Sequence, residues 1–261
     1  MARRRPYLSP APMDRSPDSP SFGESGGEHA PRPVRYRVSP RYLAGNDGEL
    51  AEQVRRTLIG NQWTCWTTRH QELHLFDAEQ LRLAEHLPLT PQLLLDDDPV
   101  VWQFSARVHR EALPSWNTYF TANTPHELVT AFATALATEP DVTTPTGCYE
   151  ARSALGPLSR AGWAPDPTDP ARTYYAPQLL ACVTFRRLPP EIEDSNPLPS
   201  APGWLAWAEP PDGALRQWAA AFSPSTPASL VTRFCSALAD PTPVCRVRLP
   251  PGTSEHLTVS L

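Results

Sequence analysis

One passage of the chain occurs twice, and this duplication constrains the fold more than any other feature of the sequence. Residues 116–137 and 218–239 align without a gap and share 11 of 22 residues. The shared residues follow the pattern W-x3-F-x3-T-P-x2-L-V-T-x-F-x2-A-L-A, at an offset of 102 residues. A period of about 100 residues is too long for a solenoid repeat and matches the size of a small domain. The sequence therefore predicts two related domains in tandem.

The duplication extends upstream of this passage, with a small insertion or deletion between the two parts. One pair of large apolar residues recurs at the offset of 102 and two pairs recur at an offset of 100: Trp102 and Trp204, Leu58 and Leu158, Trp63 and Trp163. These pairs place the first repeat domain at residues 34–140 and the second at residues 141–245. Residues 246–261 are left as a C-terminal tail.

Residues 1–33 differ in composition from the rest of the chain. They hold seven of the 33 prolines, together with several serines and a Gly-Gly pair. Such a segment buries too little apolar surface to offset the entropy lost on ordering it, so we expect a disordered tail. Three of its arginines, Arg3–Arg5, stand near the N-terminus and are not followed by an apolar stretch, so we expect no secretion signal.

The cysteines and the apolar runs indicate a cytoplasmic protein. Five cysteines are present, an odd number with no Cys-x-x-Cys spacing, so a disulfide framework or a zinc knuckle is not expected. The longest apolar runs fall well short of the roughly 18–20 residues that a membrane span needs. All 23 basic residues are arginine, as expected of a high-GC genome.

Local patterns predict an α+β fold, in which each domain is a small antiparallel sheet with an N-terminal and a C-terminal helix. Val34–Val38 alternates as a half-buried strand does, and Leu50, Val54 and Leu58 mark one face of a helix that opens near Asn46. Further extended segments are predicted at residues 63–68, 73–76, 80–84, 100–108 and 116–120.

The duplicated helix carries its own start signal. Thr124 is predicted to cap it, Pro125 to occupy its first position, and Glu127 to complete a capping box. The second domain lacks an obvious opening strand. We expect one of two alternating segments in the C-terminal part, Val244–Leu249 or residues 257–261, to fill that vacant sheet edge.

Several of these residues resemble the SPDY domain family, a domain of unknown function (DUF317) found in high-GC actinobacteria. The matching signatures are Val38–Gly45, Asn61–Trp63, Ala161–Trp163, the strand tryptophans Trp102 and Trp204, and both W-x3-F-x3-T-P-x2-L-V segments. Members typically carry two copies, so the resemblance implies the tandem architecture. It leaves the function open because no activity is established for the family.

The Ser-Pro-Asp element that gives the family its name is degenerate in both copies. Asp77-Ala78-Glu79 stands in its place in the first copy and Ala176-Pro177-Gln178 in the second. If that element serves a shared function, the resemblance implies that this chain has lost it.

No catalytic, cofactor-binding or metal-binding constellation is predicted, so we expect a protein that is not an enzyme. His70 and His74 are four residues apart, but a zincin motif needs a glutamate directly after the first histidine and a helix that carries both. His86 is only a weak candidate for a third metal ligand. Asp96–Asp98 lacks the spacing of a calcium loop. Nucleotide-binding glycine motifs and a nucleophile elbow are absent from the sequence.

The tryptophans are interpreted mainly as core residues. Six of the eight fall into duplicated pairs, which favours a packing role over ligand stacking. Trp66 and Trp207 have no counterpart and are the better candidates for exposed contacts. Cys235 takes the place of Ala133 in the duplicated helix and is expected to be a small core residue.

Two functions remain open at this point. The first is a protein-interaction module, adaptor or chaperone-like, in which the two related domains imitate a dimer and bind another protein. The alternative is a nucleic-acid-associated protein that uses the N-terminal tail, with Arg3–Arg5, and a patch of arginines on and near the first strand: Arg35, Arg37, Arg41, Arg55 and Arg56. A net charge of −5 and a pI near 5.8 weigh against that alternative.

Overall fold

Helices and two antiparallel sheets make up the described part of the chain. The computed structural model describes residues 34–88, 94–95, 97–142, 151–186, 203–209, 216–250 and 252–261. Residues Val34–Leu261 form one compact unit. The predicted disordered tail at residues 1–33 lies outside the described residues.

Within the described residues, the first copy supplies seven strands and two helices. In chain order these are β1 Tyr36–Ser39, α1 Leu50–Gly60, β2 Thr64–Thr67, β3 Leu73–Phe76, β4 Arg82–His86, β5 Leu94–Leu95, β6 Asp98–Ala106, β7 Trp116–Thr121 and α2 His126–Thr138. The predicted helix stripe is confirmed, because Leu50, Val54 and Leu58 are all buried. The extended segments predicted at residues 63–68 and 73–76 are confirmed as β2 and β3, which pair antiparallel.

The second copy repeats much of this order. Its elements are α3 Ala151–Ala154, α4 Gly156–Arg160, β8 Ala164–Pro165, β9 Thr173–Tyr175, β10 Ala181–Phe185, β11 Trp204–Ala208, β12 Trp218–Phe222 and α5 Ala228–Leu238, followed by β13 Val244–Arg246 and β14 Thr258–Ser260. The fold is thus α+β with antiparallel strand pairing. The two repeats are recognisable in the sequence, and in the structure both belong to one compact unit.

Strands of both copies join in one sheet. The five strands of the second copy follow those of the first in the reverse order, so equivalent strands lie at equal distances from the centre of the sheet. The order is β2-β3-β4-β6-β7-β12-β11-β10-β9-β8, with the short β5 pairing beside β6. The two copies meet where β7 pairs antiparallel with β12. We call this β7–β12 pair the seam.

The register of the seam is that of a twofold axis. Tyr119 lies opposite Ala221, which is its own equivalent at the offset of 102. On either side, Thr118 pairs with Phe222 and Phe120 with Ala220, so each contact is matched by its mirror contact. A homodimer with an isologous interface shows the same reciprocity. Here the two halves belong to one chain.

Two hydroxyl groups close the ends of the seam in a symmetric way. Thr121 Oγ1 accepts a hydrogen bond from the backbone N–H of Ala219 at 2.9 Å. Ser223 Oγ, at the equivalent position in the second copy, accepts one from the backbone N–H of Asn117 at 3.2 Å. All four residues are buried, so each hydroxyl satisfies a backbone donor that would otherwise be costly to bury.

Four duplicated phenylalanines form the centre of the core above the seam. Phe120 and Phe222 meet edge to face at 5.7 Å between ring centroids. Each also packs on the phenylalanine of its own helix, Phe120 on Phe132 at 5.6 Å and Phe222 on Phe234 at 5.1 Å. Since all four rings are fully buried, one aromatic cluster joins both strands and both helices α2 and α5.

The duplicated tryptophans are confirmed as core residues, since all six are at most 5% exposed. The indole N–H of Trp116 donates to the carbonyl oxygen of Val142 at 2.7 Å, and that of Trp218 donates to Tyr42 at 2.8 Å. Tyr42 and Val142 correspond at the offset of 100. Each tryptophan is therefore hydrogen-bonded to the segment that precedes the first helix of the other copy. Cys235 is also buried, as expected.

The expectation for the C-terminal strands is wrong. Neither β13 nor β14 fills an edge of the second copy, because both pair antiparallel with β1 in a separate three-stranded sheet of order β13-β1-β14. Val38 and Val244 are buried together in this small sheet. A strand from the start of the first copy is thereby held between two strands from the end of the chain.

The predicted capping box of α2 is also wrong. The helix begins at His126 after Pro125, and no side chain of the described residues caps it. Thr124 instead donates its hydroxyl to the carbonyl oxygen of Thr121 at 2.9 Å. The carboxylate of Glu127 is not available for a capping box because it binds Arg246, which is 119 residues away in sequence.

We predict that the core above the seam controls the stability of both copies together. Phe222→Ala should destabilise the protein by about 3–5 kcal/mol, because it removes a fully buried ring and leaves a cavity. Chemical denaturation followed by tryptophan fluorescence and by far-UV circular dichroism should give one shared, shifted transition. Leu113→Ala, at a side chain 81% exposed, is the control and should change little. Two separate transitions in Phe222→Ala would contradict the prediction.

Candidate functional site

Charged residues break the duplication on one side of the fold. Two dipeptides are polar or charged in one copy and small or apolar in the other: His126-Glu127 against Ala228-Ser229, and Arg216-Gln217 against Pro114-Ser115. Positions retained in both copies are explained by packing, so positions that differ in this way are where a specific chemistry is to be sought. His126 and Glu127 lie in a partly buried ionic cluster with Asp47 and Arg246.

The pair between Glu127 and Arg246 is the strongest interaction of this cluster. The two carboxylate oxygens of Glu127 accept from Nη1 and Nη2 of Arg246, both at 2.6 Å. The guanidinium is 0% exposed, and its remaining donors reach the carbonyl oxygens of Ala44 at 3.1 Å, of Gly45 at 3.0 Å and of Cys245 at 2.8 Å. A buried arginine is tolerated because its charge is paired and its donors are bonded.

This pair anchors three parts of the chain to one another. Glu127 belongs to the first turn of α2, Arg246 ends β13, and Ala44 and Gly45 precede α1. Gly45 has a φ of +60°, in the left-handed region that disfavours most side chains, and the carbonyl bonds of Arg246 hold it there. The loop before α1 is therefore fixed by a side chain from the opposite end of the chain.

His126 lies between the two carboxylates of the cluster. Its Nε2 is 3.3 Å from Oε1 of Glu127, and its Nδ1 is 3.7 Å from Oδ1 of Asp47. Burial lowers the pKa of His126, and the nearby Glu127 offsets only part of that effect. Burial acts to raise the pKa of Glu127, but Arg246 outweighs it and keeps that pKa below its usual value. The cluster therefore holds a neutral imidazole beside an ionised pair near pH 7.

A cavity of about 490 Å³ lies against this cluster. Its walls come from the loop before α1, from Asn123 after β7, from Arg216 and Gln217 before β12, and from Arg248 to Pro250 after β13. Asp47 belongs both to the cavity wall and to the ionic cluster. The ionic cluster and this cavity together are the candidate site.

A second cavity, of about 540 Å³, lies between α2 and α5 and is lined by equivalent positions of both copies. Its lining includes equivalent positions from the two copies: Ala131 and Arg233, Thr134 and Ser236, Ala135 and Ala237, Thr138 and Asp240. Most of these residues are small, as the close approach of two helices requires. Arg41 and Glu127 also line this groove, so the groove contacts the ionic cluster as well.

The site was not predicted from the sequence, although a signal for it was present. A motif that can be read from sequence has short spacings, and Asp47, His126, Glu127 and Arg246 are too far apart in sequence to be read as one. The non-identical positions of the two copies single out His126, Glu127 and Arg216. Arg246 and Arg248 have no such signal because the duplication ends before them.

The histidines considered in the sequence do not converge. His70 lies exposed in the turn between β2 and β3, and His74 lies on β3 with its Nδ1 3.0 Å from Glu85. His86 packs its ring on Trp102 at 4.9 Å, on the opposite face of the sheet from His74. Within the described ranges, no group of three or more histidine, cysteine or acidic side chains is placed to hold a metal ion.

Part of the acidic run Asp96–Asp98 and one of the five cysteines lie outside the described residues. Asp96 and Cys148 are among the residues that the structure does not describe, whereas Asp98 opens β6. Cys182 is buried in β10, and burial raises the pKa of its thiol to about 12, so that thiol is not a nucleophile near pH 7.

The five arginines of the predicted basic patch are largely occupied by acidic partners. Arg41 binds Asp240 at 2.8 Å, and Arg55 and Arg56 both bind Glu52, at 2.8 and 2.6 Å. Arg35 and Arg37 are exposed. Three of the five charges are thus paired with carboxylates.

The two tryptophans without a counterpart behave differently. Trp66 is 61% exposed on β2 and lies 5.5 Å from the ring of His74. Trp207 is half-buried on β11, with the guanidinium carbon of Arg216 5.8 Å from its ring centroid. Trp66 is therefore the exposed aromatic residue, and Trp207 forms part of the support of the cavity wall.

Comparison with known families identifies the repeats. The model of the SPDY family, a domain of unknown function (DUF317), matches residues 80–142 and residues 177–244. The chain is a member of the SPDY family. The two matched SPDY regions fall in the two copies, and each ends with the duplicated strand and helix. No curated protein and no solved structure matches the chain.

The degenerate name-giving elements of the SPDY repeats occupy equivalent turns, between β3 and β4 and between β9 and β10. In the first, Oδ1 of Asp77 accepts from the backbone N–H groups of Leu81 at 2.8 Å and Arg82 at 3.2 Å. In the second, Gln178 has a φ of +68° within a short 3-10 turn. Both elements therefore shape a turn before a strand of this SPDY protein. None of its described helices is long and apolar enough to cross a membrane.

We predict that loss of either partner of the buried pair is costly. Glu127→Gln should reduce the free energy of unfolding by about 3–5 kcal/mol, because it leaves the Arg246 charge buried without its counter-ion. The double variant Glu127→Leu with Arg246→Met should recover much of that loss. Urea denaturation measures both. Arg233→Gln, which removes an exposed pair with Glu139, should cost less than about 1 kcal/mol. An equal cost for the exposed and buried pairs would contradict this account.

We predict that stability falls on mild acidification. Burial lowers the pKa of His86 from 6.5 to about 4, so between these pH values the unfolded chain binds a proton that the folded chain does not. Stability is therefore full above pH 6.5 and is lost as the pH falls towards 4. His126 acts in the same direction.

The pH dependence of the urea midpoint checks this prediction. His86→Leu should flatten the slope between pH 6.5 and 5, whereas His109→Leu, at an exposed side chain, should leave it unchanged. A slope that is the same in the wild type and in His86→Leu would refute the role of His86.

Proposed function

We propose that this SPDY protein is a non-enzymatic protein-interaction module that adds an extended segment of another protein to strand β2. The observation that carries the proposal is the difference between the two edges of the long sheet. Exposed edge strands present unpaired backbone N–H and C=O groups, which pair readily with another strand.

Among the described residues, one edge of the sheet is protected and the other has no further strand paired with it. The edge strand β8 has two residues, Ala164 and Pro165, and the proline lacks an N–H to donate. The edge strand β2 has four residues, Thr64–Thr67, with no proline and no charged side chain. Charges and prolines are the usual means of blocking an edge, so β2 lacks the protection that β8 has.

The side chains of β2 favour a partner with apolar or aromatic residues. Trp66 is 61% exposed and projects from the face that carries His74 and Glu85, away from the helices. An exposed tryptophan on an edge strand offers a large contact area at a low cost in conformational entropy. A strand pairing with β2 would place alternate side chains beside it.

We further propose an adaptor or chaperone-like role in the cytoplasm of a high-GC actinobacterium. The absence of lysine supports that origin, and the odd number of cysteines with no paired spacing supports that compartment. The two repeats act as an intramolecular pseudo-dimer, each repeat being a small antiparallel sheet with a helix at either end. A nucleic-acid role has weaker support, since Arg41, Arg55 and Arg56 are bound to carboxylates.

Selection of extended peptides from a displayed random library against the full chain tests this function. We predict that selected peptides slow hydrogen exchange of the backbone amides of β2 and shift the fluorescence of Trp66. Trp66→Ala should weaken their binding by roughly tenfold or more, because a buried aromatic contact is worth at least about 1.4 kcal/mol at a binding hot spot.

The matched control is Leu179→Ala, which removes a side chain 72% exposed in the second copy. It should leave peptide binding unchanged. The proposal is wrong if no peptide is selected, or if the selected peptides bind Trp66→Ala and the wild type equally well.

A further inference from the structure

The cavity beside the ionic cluster has the features of a ligand site that is separate from the β2 edge. We infer that it binds a zwitterion with an apolar side chain, either a free amino acid or a short peptide. At about 490 Å³ the cavity falls within the size range of small-molecule sites. The inference does not depend on the proposed function, since β2 contributes no residue to the cavity.

Asp47 supplies a carboxylate that has no cation bound to it in the described part of the chain. Its side chain lines the cavity and is 6% exposed, and its Oδ1 accepts no hydrogen bond. His126 Nδ1, 3.7 Å away, is also unbonded, and the imidazole is neutral near pH 7 because burial lowers its pKa. Arg246 is bound to Glu127. A buried carboxylate is costly without a positive charge beside it, and the ammonium group of a ligand supplies that charge.

Gln217 supplies a second acceptor in the cavity wall. Its side-chain Oε1 is buried and has no hydrogen-bond partner within the described ranges. Two acceptors that lack donors favour a ligand with several N–H groups, and an ammonium group has three. The position of Gln217 is fixed by the sheet, since its backbone N–H donates to the carbonyl oxygen of Ala208 at 2.9 Å.

Arg248 supplies the opposite charge. It is exposed, lines the cavity and forms no hydrogen bond or ion pair with another residue that the structure describes. A guanidinium binds a carboxylate through two parallel hydrogen bonds. Arg216 also lines the cavity but already has an interaction partner, so the site does not depend on it. Apart from Arg216, the described lining carries one charge of each sign, which suits a zwitterion better than a simple anion or cation.

The two charges are carried by loops that touch each other. Gly45 lies two residues before Asp47 and Pro250 lies two residues after Arg248, and a side chain added at Gly45 would meet Cβ of Pro250 at 3.2 Å. Gly45, Leu249 and Pro250 all line the cavity. Small and apolar groups therefore stand next to both charges, and they favour an apolar side chain on the ligand.

The walls are held in place before any ligand arrives. Arg246 donates to the carbonyl oxygens of Ala44 at 3.1 Å and of Gly45 at 3.0 Å, which ties the loop before α1 to the end of β13. Asn46 Nδ2 donates to the carbonyl oxygen of Ala122 at 3.0 Å and ties the same loop to the segment after β7. Since little ordering remains to be done, the entropic cost of binding is small.

The duplication supplies an independent argument. At the equivalent positions of the other copy, Gln217 is replaced by Ser115 and Asn123 by Ser225. Both amide groups of the lining are thereby lost, while the surrounding Trp and Phe positions are kept. The polar lining therefore belongs to one side of the symmetric fold, as a dedicated site does and a packing requirement does not.

Calorimetric titration of the full chain at constant ionic strength tests the inference with three probes. Leucine carries both charged groups, N-acetyl-leucine lacks the ammonium group, and leucinamide lacks the carboxylate. We predict a dissociation constant of about 1 mM or lower for leucine. N-acetyl-leucine and leucinamide should each bind at least roughly tenfold more weakly, because each leaves one charge of the site unpaired.

Two variants assign the contacts. Asp47→Asn should abolish the preference for leucine over N-acetyl-leucine, because the ammonium group then has no carboxylate to meet. Arg248→Gln should abolish the preference for leucine over leucinamide. The matched controls are Asp141→Asn and Arg69→Gln, both at exposed residues outside the cavity, and they should bind all three probes as the wild type does.

The fold and the location are checked alongside. Asp47→Asn removes a buried charge that has no bound cation among the described residues, and Arg248 is exposed, so neither variant should lower the melting temperature. Backbone amide resonances of Gly45, Gly48 and Asn123 should shift with leucine, whereas those of β2 should not. If leucine does not bind, or if both variants keep the wild-type preferences, the inference is wrong.

A dipeptide separates the two sources of the zwitterion. Tighter binding of leucyl-leucine than of leucine assigns the cavity to short peptides, and the reverse order assigns it to a free amino acid. Peptide binding at β2 depends on Trp66 and is unaffected by Arg248→Gln, so failure of this inference is distinguishable from failure of the proposed function.

Discussion

The antiparallel pair of β7 and β12 is the interaction on which the rest of the structure depends. It turns two copies of a small sheet into one long sheet and places the equivalent phenylalanines of both copies in a single core. Backbone pairing, the two hydroxyl contacts and the aromatic cluster all obey the same local twofold axis. The fold thus reproduces within one chain the reciprocal interface of a homodimer.

A covalent pseudo-dimer is free to depart from symmetry, which a true homodimer is not. Core positions of the two copies remain alike because both must fill the same space against the seam. Charged positions differ because only one side holds the Glu127–Arg246 pair and the cavity beside it. The chain ends contribute to this difference, since β13 and β14 close on β1 and bring Arg246 beneath the loop that precedes α1.

The sequence predicts the elements well and their assembly poorly. The buried tryptophans and the stripe of Leu50, Val54 and Leu58 follow from period and repetition, which are local properties. The pairing at the seam cannot be predicted from the local sequence. The three alanines Ala219–Ala221 in the centre of β12 have neither the alternation of a half-buried strand nor the charges typical of an edge strand. The capping box failed for a related reason: Glu127 meets the predicted motif locally, but a buried arginine 119 residues away binds its carboxylate more strongly than a helix end does.

Native-state hydrogen exchange tests the central claim, that the seam makes both copies one cooperative structure. The backbone amides of β7 and β12 that are bonded across the seam should exchange only through global unfolding, with the same free energy in both strands. Urea should lower that free energy with the slope of complete unfolding. If the amides of β12 exchange by a separate opening of the second copy while β7 stays protected, the claim of a single cooperative sheet is wrong.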